Sequence, residues 1–354
     1  MATIRDVANK AKVSTATVSN VLNAHSGRVR PETRERVLAA IRDLRYRPTA
    51  REEKQATILT QNIGVMMTDL AKNPILRHDY FRNILDGILE SAMFRGWSVT
   101  IFTEKMWGDH GLSIRRTYDG RCDGLILVAS NEDHEVVHSL NERGVPIVLV
   151  GNSATLPGIS SVDIDNESAG SLAATHLIAL GHRRFGFVET TDSPTAGERE
   201  RGFRRILCEA GFGGDDYRVY SPRGSGSVGR LVDEILSGKS RPPTAFFAWH
   251  DEAASALIEA FRSHGVCVPE DVSVVGVDGL VRINDSALQL TTVPQPFHSI
   301  GKRAASLLID RLVDPTQPAE VVRFAVELRP GGTTCRPPQD LEPISLSDIA
   351  VLSS

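Results

Sequence analysis

Cysteine is scarce: this chain of 354 residues has four, Cys122, Cys208, Cys267 and Cys335, and no two of them form a CxxC pair. Such spacing indicates neither a metal site nor a disulfide framework. It casts the thiols as small buried hydrophobes in a reducing compartment. No run approaches the roughly 18 apolar residues that a membrane span needs, so no membrane partner is expected. The first residues, MATIRDV, are charged and amphipathic and lack the apolar core of an export signal, which points to a cytoplasmic protein. None of the patterns GxSxG, GxxxxGK[ST] and HExxH appears in a convincing context. Residues 224–229 (GSGSVG) are glycine-rich but follow Ser221-Pro222 rather than a long strand, and they are read as a flexible loop. No catalytic residue, metal or cofactor is expected, and the chain is not read as an enzyme.

What is present is uneven. Residues 1–60 hold 12 Lys/Arg against 6 Asp/Glu, whereas the formal charge of the whole chain is −4. A small basic head on an acidic body suggests that the head meets a polyanion and the body does not.

In the head, Ile4, Val7, Ala8 and Ala11 recur at helical spacing behind Thr3, a candidate N-cap. A break at Lys12-Val13 follows, and Ser14 caps a second helix with Thr17, Val18, Val21 and Leu22 on one stripe. Pro31 opens a third, with Val37, Leu38, Ile41 and Leu44 inward, which stops before Tyr46-Arg47-Pro48. Two short helices joined by a tight turn form a helix-turn-helix, and the second helix fits the major groove of DNA. Its exposed side would present Thr15, Ala16, Ser19 and Asn20. Asn reads adenine through paired hydrogen bonds, while alanine and threonine methyls touch thymine. A helical cap or dimerisation domain would show the same periodicity.

The run 3–23 (TIRDVANKAKVSTATVSNVLN), continued by 28–41 (RVRPETRERVLAAI) and Tyr46-Arg47-Pro48, strongly resembles the head of the lactose-repressor (LacI/GalR) family. The resemblance implies that Thr15, Ala16 and Asn20 read bases and that Ser14, Thr17 and Asn23 hold the DNA backbone. Thr3 and Tyr46 join that DNA-binding set. Two departures stand out. Lys12 occupies the turn position where the family places Gly, so a non-glycine residue is expected at positive φ. By the resemblance, Gln55 takes the place of the apolar lever that relatives wedge into the minor groove, which would bring Glu52 and Glu53 near the phosphates. A polar amide unstacks bases poorly, so weaker bending of the duplex is expected.

Beyond residue 62, apolar runs at 63–67, 97–102, 124–128, 146–150, 185–188, 245–248 and 272–277 alternate with amphipathic helical stretches. That alternation predicts parallel, doubly wound sheets, and two series of runs predict two lobes with a ligand cleft at the carboxyl ends of the strands. Later motifs continue the family resemblance to about residue 336, which implies a body like the periplasmic sugar-binding proteins. The expected organisation is an all-α helix-turn-helix head at 1–48, a hinge at 49–61, a two-lobed α/β body at 62–338 and a tail at 339–354. Lobe one would take about 62–162 and 294–324, and lobe two about 163–293 and 325–338.

By the same resemblance, Arg199 reaches into the cleft and Asp278 accepts ligand hydroxyls. A surface ion pair for the first and a helix cap for the second are the plainer readings. Tyr80 and Phe81 would supply a stacking wall or simply core. Asn152 follows Gly151, which replaces an acidic residue of several relatives. His250 stands where the family often has Asn, and a nearby carboxylate could make it cationic. Losing an acceptor and gaining a cation hints at a sugar acid. The expected partners are a double-stranded DNA operator, near-palindromic and read by a homodimer, and a carbohydrate-like effector. A solute-binding protein for sugar uptake would share the body but has no use for the basic head.

Overall fold

Short helices at the amino terminus bury one stripe each. The computed structural model describes residues 4–22, 30–44, 59–67, 79–102, 121–128, 137–138, 140–141, 144–152, 156–189, 194–222, 227–238, 241–280 and 288–338. Helices α1 (Ile4–Ala11), α2 (Thr15–Leu22) and α3 (Pro31–Asp43) close around Val7, Ala8, Ala11, Val18, Val21, Val37 and Ala40. Lys10 on α1 meets Asp43 on α3 at 3.0 Å. The turn between α1 and α2 is tight, with Val13 N donating to Ala8 O at 3.0 Å and Lys12 at φ 53°. The positive φ expected of Lys12 is thus observed.

Strands β1 (Asn62–Met67), β2 (Ser98–Phe102), β3 (Gly124–Val128), β4 (Ile147–Val150), β5 (Ser160–Ile164) and β11 (Val321–Phe324) form one parallel sheet. Its order is β11-β5-β4-β3-β1-β2. Strands β6 (Phe185–Val188), β7 (Tyr217–Tyr220), β8 (Ala245–Ala248), β9 (Ser273–Asp278) and β10 (Thr291–Pro294) form a second, ordered β10-β9-β8-β6-β7 and also parallel. Strands β3, β4, β6 and β8 are buried along their whole length, as both faces of a helix-covered sheet require. In each sheet the strand order reverses beside the first strand, between β1 and β3 and between β6 and β8. Such switch points are where open α/β sheets collect ligands.

The body helices are α4 (Asp79–Phe94), α5 (Asn166–Ala179), α6 (Pro194–Glu209), α7 (Ser227–Ser237), α8 (Asp251–Ser263) and α9 (Phe297–Val313). Two pairs cross through glycines. On α4 and α9, Gly87 abuts the carbonyl of His298 and Gly301 that of Ile84; on α5 and α6, Gly170 abuts that of Arg199 and Gly202 that of Glu167. The chain passes between the sheets after β5, after β10 and again after β11, so the two units share three crossings.

Four strands escaped the sequence reading. β5 (SSVDI) is half polar, β7 (YRVY) and β11 (VVRF) lie at sheet edges with partly exposed side chains, and β10 (TTVP) ends in proline. The loop reading of residues 224–229 also needs correction. Strand β7 precedes this run and α7 begins at Ser227, so its last residues are helical.

Candidate functional site

On the head, Ser14 caps α2. Its carbonyl accepts from Thr17 N and Val18 N, and its hydroxyl accepts from Thr17 N at 3.1 Å and lies 2.9 Å from the Thr17 hydroxyl. Capping orients the first turn outward, so Ser14, Thr15 and Ala16 are exposed and Thr17 partly so, while Val18 and Val21 face the core. A short rigid helix with small side chains at its open amino end can approach base edges closely. Asn20 lies on the last turns of α2. Thr3, Asn23, Tyr46 and Gln55 fall outside the described residues.

In the body, Arg199 on α6 is 4% exposed. Its Nε donates to Asn166 Oδ1 at 2.8 Å, and its Nη1 donates to the carbonyl of Trp249. The guanidinium is therefore held from both sheets' surroundings, by the first turn of α5 and by the residue that follows β8. Asp163, near the end of β5, accepts from Ile164 N at 2.7 Å and from Asn166 Nδ2 at 3.1 Å. The same Asn166 amide donates to Glu198 Oε2 at 3.2 Å. Burial pushes Asp163 and Glu198 above the usual carboxylate range, with Asp163 adding to the rise of Glu198.

Asp278 ends β9 with φ at 129°, a backbone conformation that costs free energy in a non-glycine residue. It is no helix cap. Its Oδ1 accepts from Gln295 Nε2 at 2.7 Å, and its carbonyl accepts from Gln295 N at 3.0 Å. Burial lifts the carboxyl to about 7 in spite of the Arg199 charge. Gln295 opens the crossing into α9, so one aspartate holds both a strand end and a connection between the sheets.

Tyr80 on α4 packs edge-on against Phe297, with ring centroids 5.1 Å apart. Burial, then Asp163 and Asp278, raises its phenol, while Arg199 opposes the rise. Both sheets' carboxylates therefore act on one phenol, which puts Tyr80, Arg199, Asp163 and Asp278 in a single cleft. Phe81 is fully buried in the hydrophobic core and offers no face there. The aromatic wall reduces to Tyr80, together with Trp249, whose ring stacks on His250 at 4.1 Å. Asn152 is buried just after β4, and Gly151 before it takes φ 65°, where an acidic side chain would be strained.

His250 corrects an expectation. It caps α8, its Nδ1 accepting from Ala253 N at 2.9 Å. Burial, helped by the Arg199 charge, pushes the imidazole down to about 4. The ring is neutral at pH 7, because no carboxylate among the described residues bonds to it and a charged ring would have to be desolvated next to a guanidinium. Sequence reasoning also passed over Asp163, Asn166, Glu198 and Gln295. An acid inside an otherwise apolar strand run was the available signal for Asp163.

Among the described residues there is no group of three or more His, Cys, Asp or Glu suited to a metal, and no helix is long and apolar enough to cross a membrane.

Residues 3–49 match the family model described as bacterial regulatory proteins, lacI family, and residues 174–334 match that of a periplasmic binding protein-like domain. The chain is 31% identical over 332 residues to the HTH-type transcriptional repressor PurR of Photobacterium profundum, covering 93% of this chain and 97% of that one. It is 31% identical over 326 residues to catabolite control protein A of Priestia megaterium, covering 91% and 96%. Among solved structures, the transcriptional regulator CelR–cellobiose complex aligns with a TM-score of 0.68 at 28% identity, covering 94% of this chain and 100% of that one. The lac repressor dimer bound to operator and the anti-inducer ONPF aligns at 0.67 with 25% identity, covering 94% and 99%.

Proposed function

The chain belongs to the lacI family of bacterial regulatory proteins, and from that premise we propose that it represses transcription as a homodimer on a near-palindromic operator, under the control of a small carbohydrate-like effector held between its two sheets. It is a DNA-binding transcription regulator and not an enzyme. The observation that carries the reading is the capped amino end of α2, where exposed Ser14, Thr15 and Ala16 stand on a packed three-helix head. One such helix spans only a few base pairs, so two heads related by a dyad are needed to reach genomic specificity. The lac repressor structure, a dimer on its operator, supports the dimeric arrangement, and cellobiose bound to CelR supports a carbohydrate effector. Work on DNA implies a cytoplasmic protein held at the nucleoid.

The cleft supports effector control by its position. Asp278 and Gln295 tie a hydrogen-bonding carboxylate to a crossing between the sheets, so a ligand that engages Asp278 acts on the element that sets their relative angle. A sugar acid loses its support, since the imidazole expected to balance its charge is neutral.

Selection from a pool of random duplexes with the purified protein tests the reading. Recovery of an inverted repeat, protected in footprinting and released or tightened by a small hydroxylated ligand, is the expected result. Equal retention of all duplexes at moderate salt overturns it.

A further inference from the structure

The residues that lead into the first sheet are fastened to it at four successive positions. Leu59 packs against the hydrophobic core. Thr60 gives both its backbone N–H, at 2.8 Å, and its hydroxyl, at 3.0 Å, to Asp123 Oδ1. The Gln61 carbonyl accepts from Ser98 N at 2.7 Å. Asn62 N donates to Asp123 Oδ2 at 3.2 Å, and its side-chain amide donates to Thr100 Oγ1 at 2.8 Å and to the carbonyl of Arg121 at 2.6 Å. One carboxylate thus takes three hydrogen bonds from residues 60 and 62. A carboxylate suits the place, because both of its oxygens accept and neither donates.

Between the two tied residues, exposed Gln61 is held at φ 53°. A left-handed non-glycine residue persists only where its surroundings over-determine it, and here both neighbours are bound to a common partner. The arrangement is a clasp on the surface. It lies where the amino ends of β1, β2 and β3 stand side by side, and it joins all three. The effector cleft is at the other end of the sheet, where β4 and β5 finish beside Asn152 and Asp163. No ligand in that cleft reaches the clasp.

The described head ends at Leu44 and the clasp begins at Leu59, so positions 45–58 are the whole connection between them. In a dimer, the separation that two heads can span depends on where each connection leaves its body and on how long it is. We propose that Asp123 is a positioning residue for operator recognition: by clasping Thr60 and Asn62 it fixes that departure point, and so sets the distance between half-sites that the dimer accepts. This rests on the reading of the protein as a dimer on an inverted repeat and adds to it the element that meters the repeat. With the clasp open, the free connection would run on through Gln61 and each head would reach more positions. The second head's effective concentration at its half-site would then depend less steeply on spacing.

Variants of the full-length protein test the proposal. Asp123→Ala removes all three acceptor contacts. Asp123→Asn keeps the size, leaves an oxygen for Thr60 and sets its amide against Asn62 N, donor to donor. Thr60→Val deletes only the hydroxyl bond, and Thr60→Ser restores it. Each protein is titrated with the inverted repeat recovered by selection, with the same repeat lengthened or shortened at its centre by single base pairs, and with one half-site alone. The parent should favour one spacing about tenfold or more over its neighbours, and in Asp123→Ala that ratio should fall about threefold or more. Asp123→Asn and Thr60→Val should fall between the two, and Thr60→Ser should match the parent. Affinity for the single half-site should stay level throughout. Amide exchange at Thr60 and Asn62 should quicken in Asp123→Ala while thermal unfolding shows a folded body. An unchanged spacing ratio, an equal loss of affinity at every spacing, or unchanged exchange at Thr60 and Asn62 overturns the proposal. So does a parent that selects sequence but is indifferent to spacing, which leaves the regulator standing. Unselective DNA binding by the parent removes the regulator itself.

Discussion

Gly170 on α5 lies directly beneath the backbone carbonyl of Arg199 on α6, so close that a Cβ at position 170 would stand 1.9 Å from that oxygen. The reciprocal contact, Gly202 against the carbonyl of Glu167, makes the crossing a two-sided backbone fit. The cleft arginine is therefore placed by the absence of a side chain one helix away. Gly170→Ala must push α6 outward, because backbone on the far side cannot rotate aside. The expected cost is at or above the upper end of the ~1–3 kcal/mol typical of overpacking. Effector affinity should fall with it as Arg199 moves, while sequence-selective DNA binding by the head persists. Urea unfolding and effector titration of the same preparation check both parts.

A second expectation concerns pH. Burial holds the Asp278 carboxyl up to about 7, far above its ordinary value of 3.8. Between those values the folded protein binds more protons than the unfolded chain, so this group's contribution to stability falls as pH rises from about 4 to 7. Asp278→Asn removes that loss. The variant should match the parent at pH 4 and exceed it in stability at pH 8, as read from denaturant midpoints. Effector binding runs the other way, since the ionised carboxylate is the stronger acceptor. With half-ionisation near 7, affinity of the parent should rise about tenfold from pH 6 to pH 8, and the Asn variant should show no such rise.

The turn between α1 and α2 supplies a third. Lys12 takes φ 53°, a left-handed conformation that costs a side-chain-bearing residue about 1 kcal/mol. Lys12→Gly should relieve most of that strain, offset in part by the greater freedom of glycine in the unfolded chain. Amide exchange of Val13, whose hydrogen bond to Ala8 O spans this turn, should slow about threefold to fivefold. Unchanged or faster exchange would show that the strain is absorbed elsewhere.

These cases also show what the amino-acid sequence makes visible. The runs at 124–128, 185–188 and 245–248 coincide with β3, β6 and β8, because a strand buried on both faces must be apolar at every position. Edge strands β7 and β11 have no such requirement, and no continuous apolar run marks them in the sequence. Arg199 and Asp278 were singled out by resemblance, but their shared cleft was hidden, since α6 and β9 meet only in the tertiary fold. Asp163 was hidden in another way: its burial and its amide partner Asn166 come from the turn into α5, not from a motif of catalytic or metal type. The charge expected of His250 failed for the same reason. Protonation depends on desolvation and on Arg199, and neither can be read from position 250.

At the head, chemistry distinguishes two kinds of contact. Asn20 is expected to read a base edge and Ser14, at the cap of α2, to hold the DNA backbone. Asn20→Ala should relax base choice at one position of each half-site, with discrimination there reduced by ~1–3 kcal/mol. Ser14→Ala should instead weaken binding to all sequences alike and destabilise α2, since the cap is lost. Competition assays with single-substitution operators resolve the two patterns. A uniform loss in Asn20→Ala would move that residue to the phosphate-binding set.

Gln55 gives the last expectation. In relatives an apolar lever at this place unstacks a base step, and the energy of kinking is recovered by wider contact with the bent duplex. An amide gains little from insertion between bases, and on this reading Glu52 and Glu53 would repel the phosphates that a bend would bring closer. The operator should therefore bend less on this protein than with Gln55→Leu. Circular-permutation mobility assays on one operator, with parent and variant side by side, measure the difference directly. Because bending and affinity are coupled through the same contacts, Gln55→Leu should also tighten binding by a few-fold at fixed salt. Equal bending by the two proteins would mean that the glutamine inserts as deeply as leucine does, with groove-edge hydrogen bonds offsetting the loss of stacking.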